Sequence, residues 1–310
     1  MKKVAFIFPG QGSQKTGMGK DFFDNSDIAK DMINKASIRL GFDFSKLLFE
    51  DNSNLSQTKF TQPAILLVSC IAYNIFKSKS DISPEFCLGH SLGEFSSLVS
   101  SGAIDYLDAI ELVHKRGIFM SEACMSIDAG MMAVLGIEDN LIEDICRKEL
   151  QNGKKIWPAN YNMNGQLVLA GIKKDLESLI DILLRKGAKK TVLLDMSVAS
   201  HCNLLETAVK KLKPYLEKFI KDEFKYPIIS NVSTSRYSSK YDAVDLLCKQ
   251  LVNPVKYKQS ILNNSNNIEY FIEFGNSTVL KGLNRKITKI PTLNINDMNS
   301  LEKTLSILND

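Results

Sequence analysis

A glycine-bracketed stretch around Ser91 constrains the fold of this chain more than any other feature. Residues 87–94 read CLGHSLGE and contain the pattern Gly-X-Ser-X-Gly. Apolar residues at 86–88 predict a short buried strand, and the apolar side chains that follow recur at helical spacing. A strand, a sharp turn and a helix in this order predict a nucleophile elbow, which holds a serine hydroxyl at the edge of a sheet. The alternative is a glycine-rich connection without catalytic function, because so short a pattern also occurs by chance.

A second strand is predicted at Val4–Phe8, where a continuous apolar run is typical of a strand buried on both faces of a parallel sheet. The run ends in the loop Pro9–Gln14, which is rich in glycine and amide side chains. Proteins of the α/β class place their sites at the carboxyl ends of such strands. We therefore predict that this loop presents N–H donors to a ligand, although a flexible turn would have a similar composition.

The segment 127–196 has a different pattern from the rest of the chain. It predicts strands and helices in the order β-α-β-β-α-β, with a hairpin turn at 162–165 and one helix through 176–184. We predict an α/β fold with a large α/β-hydrolase-like domain that contains a parallel sheet. That domain comprises residues 1–126 and 197–310, and residues 127–196 form an inserted small ferredoxin-like subdomain.

Several helices are predicted in the large domain. Residues 64–75 indicate a buried helix beside the sheet, and a longer helix is predicted over 105–124. Arg116 lies off the apolar stripe of that helix, and an arginine in such a place is usually a solvated surface charge. The helix that covers residues 205–219 is predicted to be kinked or interrupted at Pro214. Further strands are predicted at 226–230, at 268–274 and near 292.

Composition excludes several classes of function. The chain has 310 residues and a net charge of +4, which is too mild to indicate nucleic-acid binding. Its six cysteines form no Cys-X-X-Cys pair and no metal-ligand spacing, so we expect reduced thiols and no metal site. No apolar run is long enough to predict a membrane span, and residues 1–3 lead directly into a strand pattern without a secretory signal. We therefore expect a cytoplasmic protein.

A serine nucleophile needs an adjacent base, and the chain has only three histidines. His90 is next to Ser91, but neighbouring side chains diverge at a tight elbow, so we expect it to support the turn. His114 lies in the middle of a helix beside two basic residues and is predicted to be at the surface. His201 follows a loop at the junction of the two predicted subdomains. By elimination it is the best candidate for the base, with a packed loop histidine as the alternative.

Several stretches together resemble those of one acyltransferase family. They are Phe8–Gln14, Gly89–Glu94, Arg116 with Gly117, Ser200 with His201, and Gln250 ahead of Asn253-Pro254-Val255. In this order they make nearly the whole chain similar to malonyl-CoA:acyl carrier protein transacylase, the acyltransferase of type II fatty acid synthesis. The resemblance implies transfer of a malonyl group from malonyl-CoA to the phosphopantetheine thiol of acyl carrier protein. It implies a ping-pong mechanism and no cofactor.

The resemblance also implies how three residues carry the reaction. Ser91 would be acylated by the malonyl thioester. His201 would accept the serine proton and later give it to the leaving thiol. The backbone carbonyl at Gln250 would hold the imidazole in place of a carboxylate, which accounts for the absence of a motif that marks a catalytic aspartate.

Two further roles follow from the same resemblance. The backbone N–H groups of Gln11 and Leu92 would form the oxyanion hole. Arg116 would pair with the free malonyl carboxylate, because a guanidinium group binds a carboxylate through two parallel hydrogen bonds. This implied role replaces the surface role that helical spacing alone suggests for Arg116.

The chain departs from the family pattern at two loop positions and leaves some properties open. Ala199 stands where proline is common, and Asn276 stands where a Gly-Pro-Gly turn is expected. Residues 198–201 partly match a motif of methylmalonyl-selective relatives, so exclusion of a methyl group stays open. A monomer is expected. Acyl carrier protein of this pathway has an acidic recognition helix, and the candidate docking charges are Lys189, Lys190, Lys281, Arg285 and Lys286, although a solvated basic surface is equally expected.

Overall fold

Two β-sheets organise the part of the chain that the computed structural model describes, residues 2–196 and 198–309. The strands are β1 (Val4–Phe8), β2 (Pro84–Gly89), β3 (Ala129–Leu135), β4 (Ile156–Met163), β5 (Gln166–Ile172), β6 (Lys190–Leu193), β7 (Ile228–Ile229), β8 (Arg236–Tyr237), β9 (Tyr270–Phe274) and β10 (Thr292–Ile295).

Fourteen α-helices lie between and after these strands in the described part of the chain. They are α1 (Lys20–Asn25), α2 (Asp27–Leu40), α3 (Phe44–Phe49), α4 (Thr58–Lys79), α5 (Gly93–Ser100), α6 (Tyr106–Cys124), α7 (Asp139–Gln151), α8 (Lys173–Glu177), α9 (Ile180–Arg185), α10 (Glu206–Phe219), α11 (Lys240–Val252), α12 (Tyr257–Asn264), α13 (Val279–Ile287) and α14 (Met298–Asn309). Short 3-10 helices cover Ser53–Ser56 and Asn203–Leu205.

The larger sheet has the strand order β10-β9-β1-β2-β7-β8. All neighbouring pairs are parallel except β7 with β8, which are antiparallel at one edge. Every residue of β1 is buried, which explains the unbroken apolar run in its sequence. Because β1 and β2 are adjacent and parallel, the loop after β1 and the elbow after β2 lie at the same edge of the sheet. The predicted parallel sheet is confirmed.

Helix α4 packs beside this sheet and against α6. It is the one helix in the described part of the chain whose length and apolar composition would allow it to cross a membrane, and 78% of its most apolar window is buried inside the protein. Gly117 on α6 makes the contact with α4 close, because a Cβ atom at that position would lie 2.6 Å from Lys59 Cα. This approach buries the face of α6 that carries Arg116.

The smaller sheet is antiparallel and has the strand order β4-β5-β3-β6. Helices α7, α8 and α9 accompany it, and Met132, Leu169 and Leu183 belong to its separate apolar core. It joins the larger domain where the Val255 N–H donates to Ala159 O and the Tyr161 N–H donates to Val255 O. All of its strands lie within the predicted insertion. The division into two domains stays a prediction, and its bounds at residues 1, 197 and 310 lie outside the described residues.

Three details of the sequence prediction were wrong. Of the kink or interruption predicted at Pro214, the interruption is wrong, because α10 runs continuously past Pro214 and buries Ala208, Leu212 and Leu216 on one face. The single helix predicted over 176–184 is two short helices, α8 and α9. The edge strand β8 was not predicted, because two residues are too few to give a periodic signal.

Candidate active site

The elbow forms as the Gly-X-Ser-X-Gly pattern predicts. Ser91 has a φ of 52°, a left-handed value that is uncommon for a residue other than glycine and that is typical of strained functional positions. The flanking glycines are required by close approach. A Cβ atom on Gly89 would lie 1.8 Å from Gly93 C, and one on Gly93 would lie 2.0 Å from Phe8 O. The turn therefore brings the Ser91 hydroxyl to the carboxyl edge of the sheet beside the loop after β1.

His201 meets Ser91 across 110 positions of the chain. The distance between Ser91 Oγ and His201 Nε2 is 2.8 Å, and His201 Nδ1 lies 2.7 Å from the main-chain O of Gln250. A carbonyl oxygen only accepts, so Nδ1 carries the ring proton and Nε2 is free to accept the serine proton. His201 also has a left-handed φ, of 63°. The structure thus brings together the three residues that were predicted to carry the reaction.

The His201 ring is neutral near neutral pH. Burial lowers its pKa to about 3, and the nearby positive charge of Arg116 acts in the same direction, while the hydrogen bond to Gln250 O opposes both. A neutral imidazole can accept a proton from a serine hydroxyl, whereas a protonated one cannot.

Arg116 is buried, so the surface location that helical spacing suggested is wrong, as the resemblance implied. Only 2% of the residue is exposed. Its Nη1 donates to Gln62 Oε1 at 2.7 Å, and its Nη2 lies 3.1 Å from Gln250 Oε1 and 3.3 Å from Ser91 Oγ. Its Nε–H is buried and has no partner in the described part of the chain. Burial lowers the pKa of Arg116 to about 10, so the side chain stays cationic at neutral pH.

A buried cation lies next to the serine, and no carboxylate is in hydrogen-bond contact with it in the described part of the chain. The contacts to Arg116 come from neutral amide and hydroxyl oxygens. A buried charge of this kind is unfavourable unless a counter-ion joins it. A carboxylate is the ion whose geometry matches a guanidinium group. The arrangement is therefore suited to an acyl group that carries a carboxylate.

The Gln11 and Leu92 residues both line a cavity of about 160 Å³ in front of Ser91. Within residues 2–196 and 198–309, neither of their backbone N–H groups donates a hydrogen bond. The Gln11 side chain is held by Thr58, whose hydroxyl donates to Gln11 Oε1 at 2.9 Å. Two free amides, one in the loop after β1 and one at the start of α5, are able to stabilise an oxyanion. The cavity is smaller than the ~300–1,000 Å³ typical of drug-sized ligands, which suits a short acyl group.

The other two histidines are structural in different ways. His90 Nε2 lies 2.8 Å from Asn162 Oδ1, so it links the elbow to the smaller sheet and supports the turn. His114 was predicted to be at the surface, and that prediction was wrong. It is half-buried, its Nδ1 lies 2.6 Å from Lys59 O, and its ring packs beside Phe60. The same close contact of α6 with α4 that buries Arg116 explains this position.

The loop that lacks the Gly-Pro-Gly pattern is tied down by a different interaction. Asn276 is buried, and its Nδ2 donates to Ser13 O in the loop after β1. This bond connects the turn after β9 with the loop that carries Gln11. Asn276 therefore fixes this turn through a side-chain hydrogen bond, where a Gly-Pro-Gly turn would be fixed by the stiffness of proline.

Sequence reasoning missed a set of buried polar residues behind the elbow. Asn231 Oδ1 accepts from Ser91 N at 2.7 Å, and Asn231 Nδ2 donates to Gly89 O at 2.6 Å. Glu94 is fully buried under the same turn. A charged residue within the otherwise apolar start of α5 was a signal for Glu94, but Asn231 follows β7 and no motif marks it. In the described part of the chain, no group of three or more His, Cys, Asp or Glu side chains is arranged to hold a metal ion.

Comparisons with known proteins agree with this geometry. The family model described as "Acyl transferase domain" matches residues 5–290. The malonyl CoA-acyl carrier protein transacylase of Bacillus subtilis (strain 168) is 36% identical over 313 residues, covering 100% of this chain and 98% of the relative.

Solved structures of such enzymes have the same fold. The malonyl-CoA:acyl carrier protein transacylase from Helicobacter pylori superposes with a TM-score of 0.97 at 42% identity, covering 100% of this chain and 99% of that chain. A malonyl-transacylase solved in complex with a type II PKS acyl-carrier protein gives a TM-score of 0.95 at 33% identity, covering 99% of this chain and 100% of that chain. Since the family model spans most of the sequence and the relatives align over all of it, this chain belongs to the acyl transferase family, among the malonyl-CoA:acyl carrier protein transacylases.

Proposed function

We propose that this protein transfers a malonyl group from malonyl-CoA to the phosphopantetheine thiol of acyl carrier protein through a malonyl-serine at Ser91. The observation that carries the proposal is the line of contacts from Arg116 to Ser91, His201 and the Gln250 carbonyl. It combines a nucleophile, a neutral base and a buried cation around one small cavity. The product, malonyl-acyl carrier protein, supplies fatty acid synthesis with its malonyl units.

In the first half-reaction, Ser91 Oγ attacks the thioester carbonyl carbon while its proton moves to His201 Nε2. The Gln250 carbonyl keeps the proton of Nδ1 in place and so fixes the tautomer. When the tetrahedral intermediate collapses, the carbon–sulfur bond breaks, and the proton on Nε2 passes to the departing CoA sulfur. The products are malonyl-Ser91 and CoA.

The oxyanion of that intermediate would lie between the free amides of Gln11 and Leu92. Both residues line the cavity next to Ser91. The loss of one such donor typically lowers the rate by about 10²–10³-fold. The left-handed backbone at Ser91 supports this role, because it lets α5 begin directly after the nucleophile, with Leu92 at its N-terminus.

The malonyl carboxylate would bind Arg116 through the unpartnered Nε–H and the Nη2 group that faces Ser91. This pairing gives the buried guanidinium a carboxylate in direct contact. It also places the thioester carbon next to Ser91, since the clamp and the hydroxyl are 3.3 Å apart. We expect the clamped acyl group to fill the small cavity and so to limit hydrolysis of the ester by water.

The second half-reaction reverses the first, with the carrier-protein thiol in place of CoA. A groove of about 430 Å³ shares Gln11, Leu194 and Met196 with the catalytic cavity, and we assign it to the phosphopantetheine arm. The candidate docking residues are exposed except Lys281, whose Nζ donates to Asn294. Salt should slow transfer to carrier protein far more than transfer to a small thiol. Equal salt responses would remove the docking role.

The finer description of the fold belongs to the same proposal. Numbered within residues 127–196, the strands of the smaller sheet lie in the order 2-3-1-4, which is the order of a ferredoxin-like unit. We infer an inserted subdomain on a hydrolase-like core, in a cytoplasmic monomer that uses no cofactor and binds neither nucleic acid nor membranes.

The test is the mass of the intact protein after incubation with malonyl-, methylmalonyl- or acetyl-CoA. We expect wild type to gain one malonyl group and Ser91→Ala to gain none. The methylmalonyl arm measures whether the cavity excludes a methyl group. In a second arm with excess carrier protein, malonyl carrier protein should form. Mostly free malonate would instead indicate a hydrolase, and the absence of any adduct on wild type would contradict the proposal.

A further inference from the structure

A fully buried carboxylate lies behind the elbow and touches none of the reacting atoms. Glu94 Oε1 accepts from the Tyr237 hydroxyl at 3.0 Å. Its Oε2 accepts from Gln250 Nε2 at 2.8 Å and from the Asn231 N–H at 3.2 Å. These three donors are uncharged groups. The charge that acts on this carboxylate is that of Arg116, on the other side of the Gln250 side chain.

The first use is to orient the Gln250 amide. Gln250 Nε2 donates to Glu94 and to Ser91 O at 3.0 Å, so Gln250 Oε1 faces Arg116 Nη2 at 3.1 Å. The two ends of an amide have nearly the same shape, and only their partners fix its orientation. If the amide were reversed, its NH₂ group would face the guanidinium and two donors would oppose each other. The carboxylate of Glu94 excludes that orientation, because it only accepts.

The second use is to hold the residue that supports the strained serine. The Asn231 N–H donates to Glu94, while the Asn231 side chain accepts from Ser91 N and donates to Gly89 O. Ser91 has a left-handed φ of 52°, and such a conformation persists only where the surroundings hold it. Glu94 therefore anchors both the orientation of Arg116 and the geometry of the elbow.

We propose that Glu94 is a positioning residue for acyl loading, whose ionised carboxylate fixes Gln250 and Asn231 and through them Arg116 and Ser91. This inference rests on the function proposed above. Glu94 touches neither the serine hydroxyl nor the imidazole. Its effect should be greater for malonyl groups than for acetyl groups, because only a malonyl group uses Arg116.

The charges around Glu94 give the role a signature in pH. Burial raises the pKa of Glu94 to about 7, while its three hydrogen bonds and the charge of Arg116 oppose the shift. The titratable groups that face it are Arg116 from α6 and Tyr237 from β8, and burial raises the pKa of Tyr237 well above its ordinary value. Neither titrates near neutrality, and the pKa of His201 is lowered to about 3. Loading that needs ionised Glu94 should therefore weaken below about pH 7.

The experiment compares wild type with Glu94→Gln and Glu94→Ala by rapid-quench loading from malonyl-CoA and acetyl-CoA, at about pH 5.5 to 8.5. Glutamine has the shape of the protonated carboxyl group, and its NH₂ end is a donor, so like protonated Glu94 it no longer excludes the reversed Gln250 amide. We expect Glu94→Gln to load malonyl at every pH at about the reduced rate of protonated wild type, without the decline of up to about tenfold per pH unit that wild type shows below about pH 7. Glu94→Ala should lower malonyl loading by about 10²-fold and lower the malonyl-to-acetyl ratio.

The matched control is Glu273→Gln, which changes a second buried glutamate whose pKa is also raised to about 7 but which lies on β9 and bonds the start of α13. It should keep the malonyl-to-acetyl ratio and the pH profile of wild type. A folded Glu94→Ala protein with an unchanged ratio would overturn the inference. If Glu94→Ala does not fold, a Glu94→Gln protein that keeps the acid-side decline would overturn it equally. Failure of wild type to form the malonyl adduct would instead contradict the proposed function, so the two failures are distinguishable.

Discussion

The strands β2 and β9 both lead through a turn into a helix, and a buried glutamate lies beside each turn, Glu94 in the first turn of α5 and Glu273 on β9. Burial raises the pKa of Glu94 and of Glu273 to about 7. After β9, the Glu273 carboxylate accepts from the N–H groups of Leu280 and Lys281 at 3.1 and 2.9 Å. The acid thus satisfies the start of α13 directly, as an N-terminal carboxylate usually does.

After β2 the acid turns away from the helix start. Glu94 bonds Gln250, Asn231 and Tyr237, while Leu92, whose N–H donates no hydrogen bond in the described part of the chain, lines the cavity. The difference shows that a buried glutamate beside a strand–turn–helix connection can have two different roles. Where a carboxylate of the protein accepts from the first N–H groups of a helix, the bonds stabilise the fold. Where those N–H groups have no partner, they can bind a negative charge that develops on a substrate. Substitutions after β2 should therefore change reaction rates, and equivalent substitutions after β9 should change stability.

The largest contrast should come from two basic residues, Arg116 of α6, which reaches the turn after β2, and Lys281 of α13, which follows the turn after β9. Arg116→Ala should lower malonyl loading by about 10²–10³-fold, because it removes the buried partner of the malonyl carboxylate. Acetyl loading should fall much less, since an acetyl group has no carboxylate. The measurement is single-turnover loading of Ser91 from each thioester.

The matched substitution after β9 is Lys281→Ala, which removes the ammonium group that donates to Asn294. It should leave loading from either CoA thioester unchanged, because Lys281 is absent from the lining of the catalytic cavity. Equal losses of malonyl and acetyl loading in Arg116→Ala would contradict the carboxylate clamp.

The next contrast uses two buried asparagines. Asn231→Ala removes the bonds to Ser91 N and Gly89 O, so the elbow can relax from its left-handed conformation. We expect loading to fall by about 10²-fold, since a small displacement of a catalytic group has an effect of this size. Asn284→Ala removes the bonds to Tyr257 and Thr292 behind α13 and should leave loading unchanged. Comparable loss of rate in both variants would show that buried polar substitutions act only through general stability.

How far the sequence alone predicts this site depends on how local each signal is. The elbow at Ser91 follows from five neighbouring residues, and the structure has it. The pairing of His201 with Ser91 depended on elimination and on the family resemblance, because the two lie 110 positions apart. Arg116 was assigned to the surface by helical spacing. Its burial depends on Gly117, which lets α6 approach α4, and such a contact is not visible in the pattern of one helix.

The buried polar residues behind the elbow were the least predictable. Asn231 lies in a turn after a strand of only two residues, and Tyr237 lies in an edge strand of the same length. Periodicity identifies the apolar face of an element, but it does not identify which loops meet at the edge of a sheet. The order of strands decides that, and strand order is a property of the whole chain.

A smaller effect should appear in the pH dependence of stability. The pKa of Glu273 is raised from an ordinary 4.5 to about 7, so the folded protein holds a proton that the unfolded chain releases. This contribution is present at low pH and is lost as the pH rises through about 7. Between about pH 5 and 8, the free energy of unfolding of wild type should fall relative to that of Glu273→Gln by on the order of 2 kcal/mol. Urea unfolding at the two pH values measures this, and a constant difference would contradict it.

The smallest effect concerns the base itself. Burial lowers the pKa of His201, and the charge of Arg116 lowers it further. Replacing Arg116 with methionine keeps most of the volume but removes the charge, so the pKa of His201 should rise relative to wild type. A bound malonyl carboxylate should act in the same direction by neutralising the guanidinium. The base would then be strongest when the correct acyl group is present.

Titration of ring-labelled histidine by NMR measures this shift, and His90→Gln and His114→Gln variants assign the signals. Glu273→Gln is the control and should titrate like wild type, because its charge acts at the other turn. An unchanged or lower pKa of His201 in Arg116→Met would show that burial alone sets the strength of the base. In that case the carboxylate would position the acyl group without activating the serine.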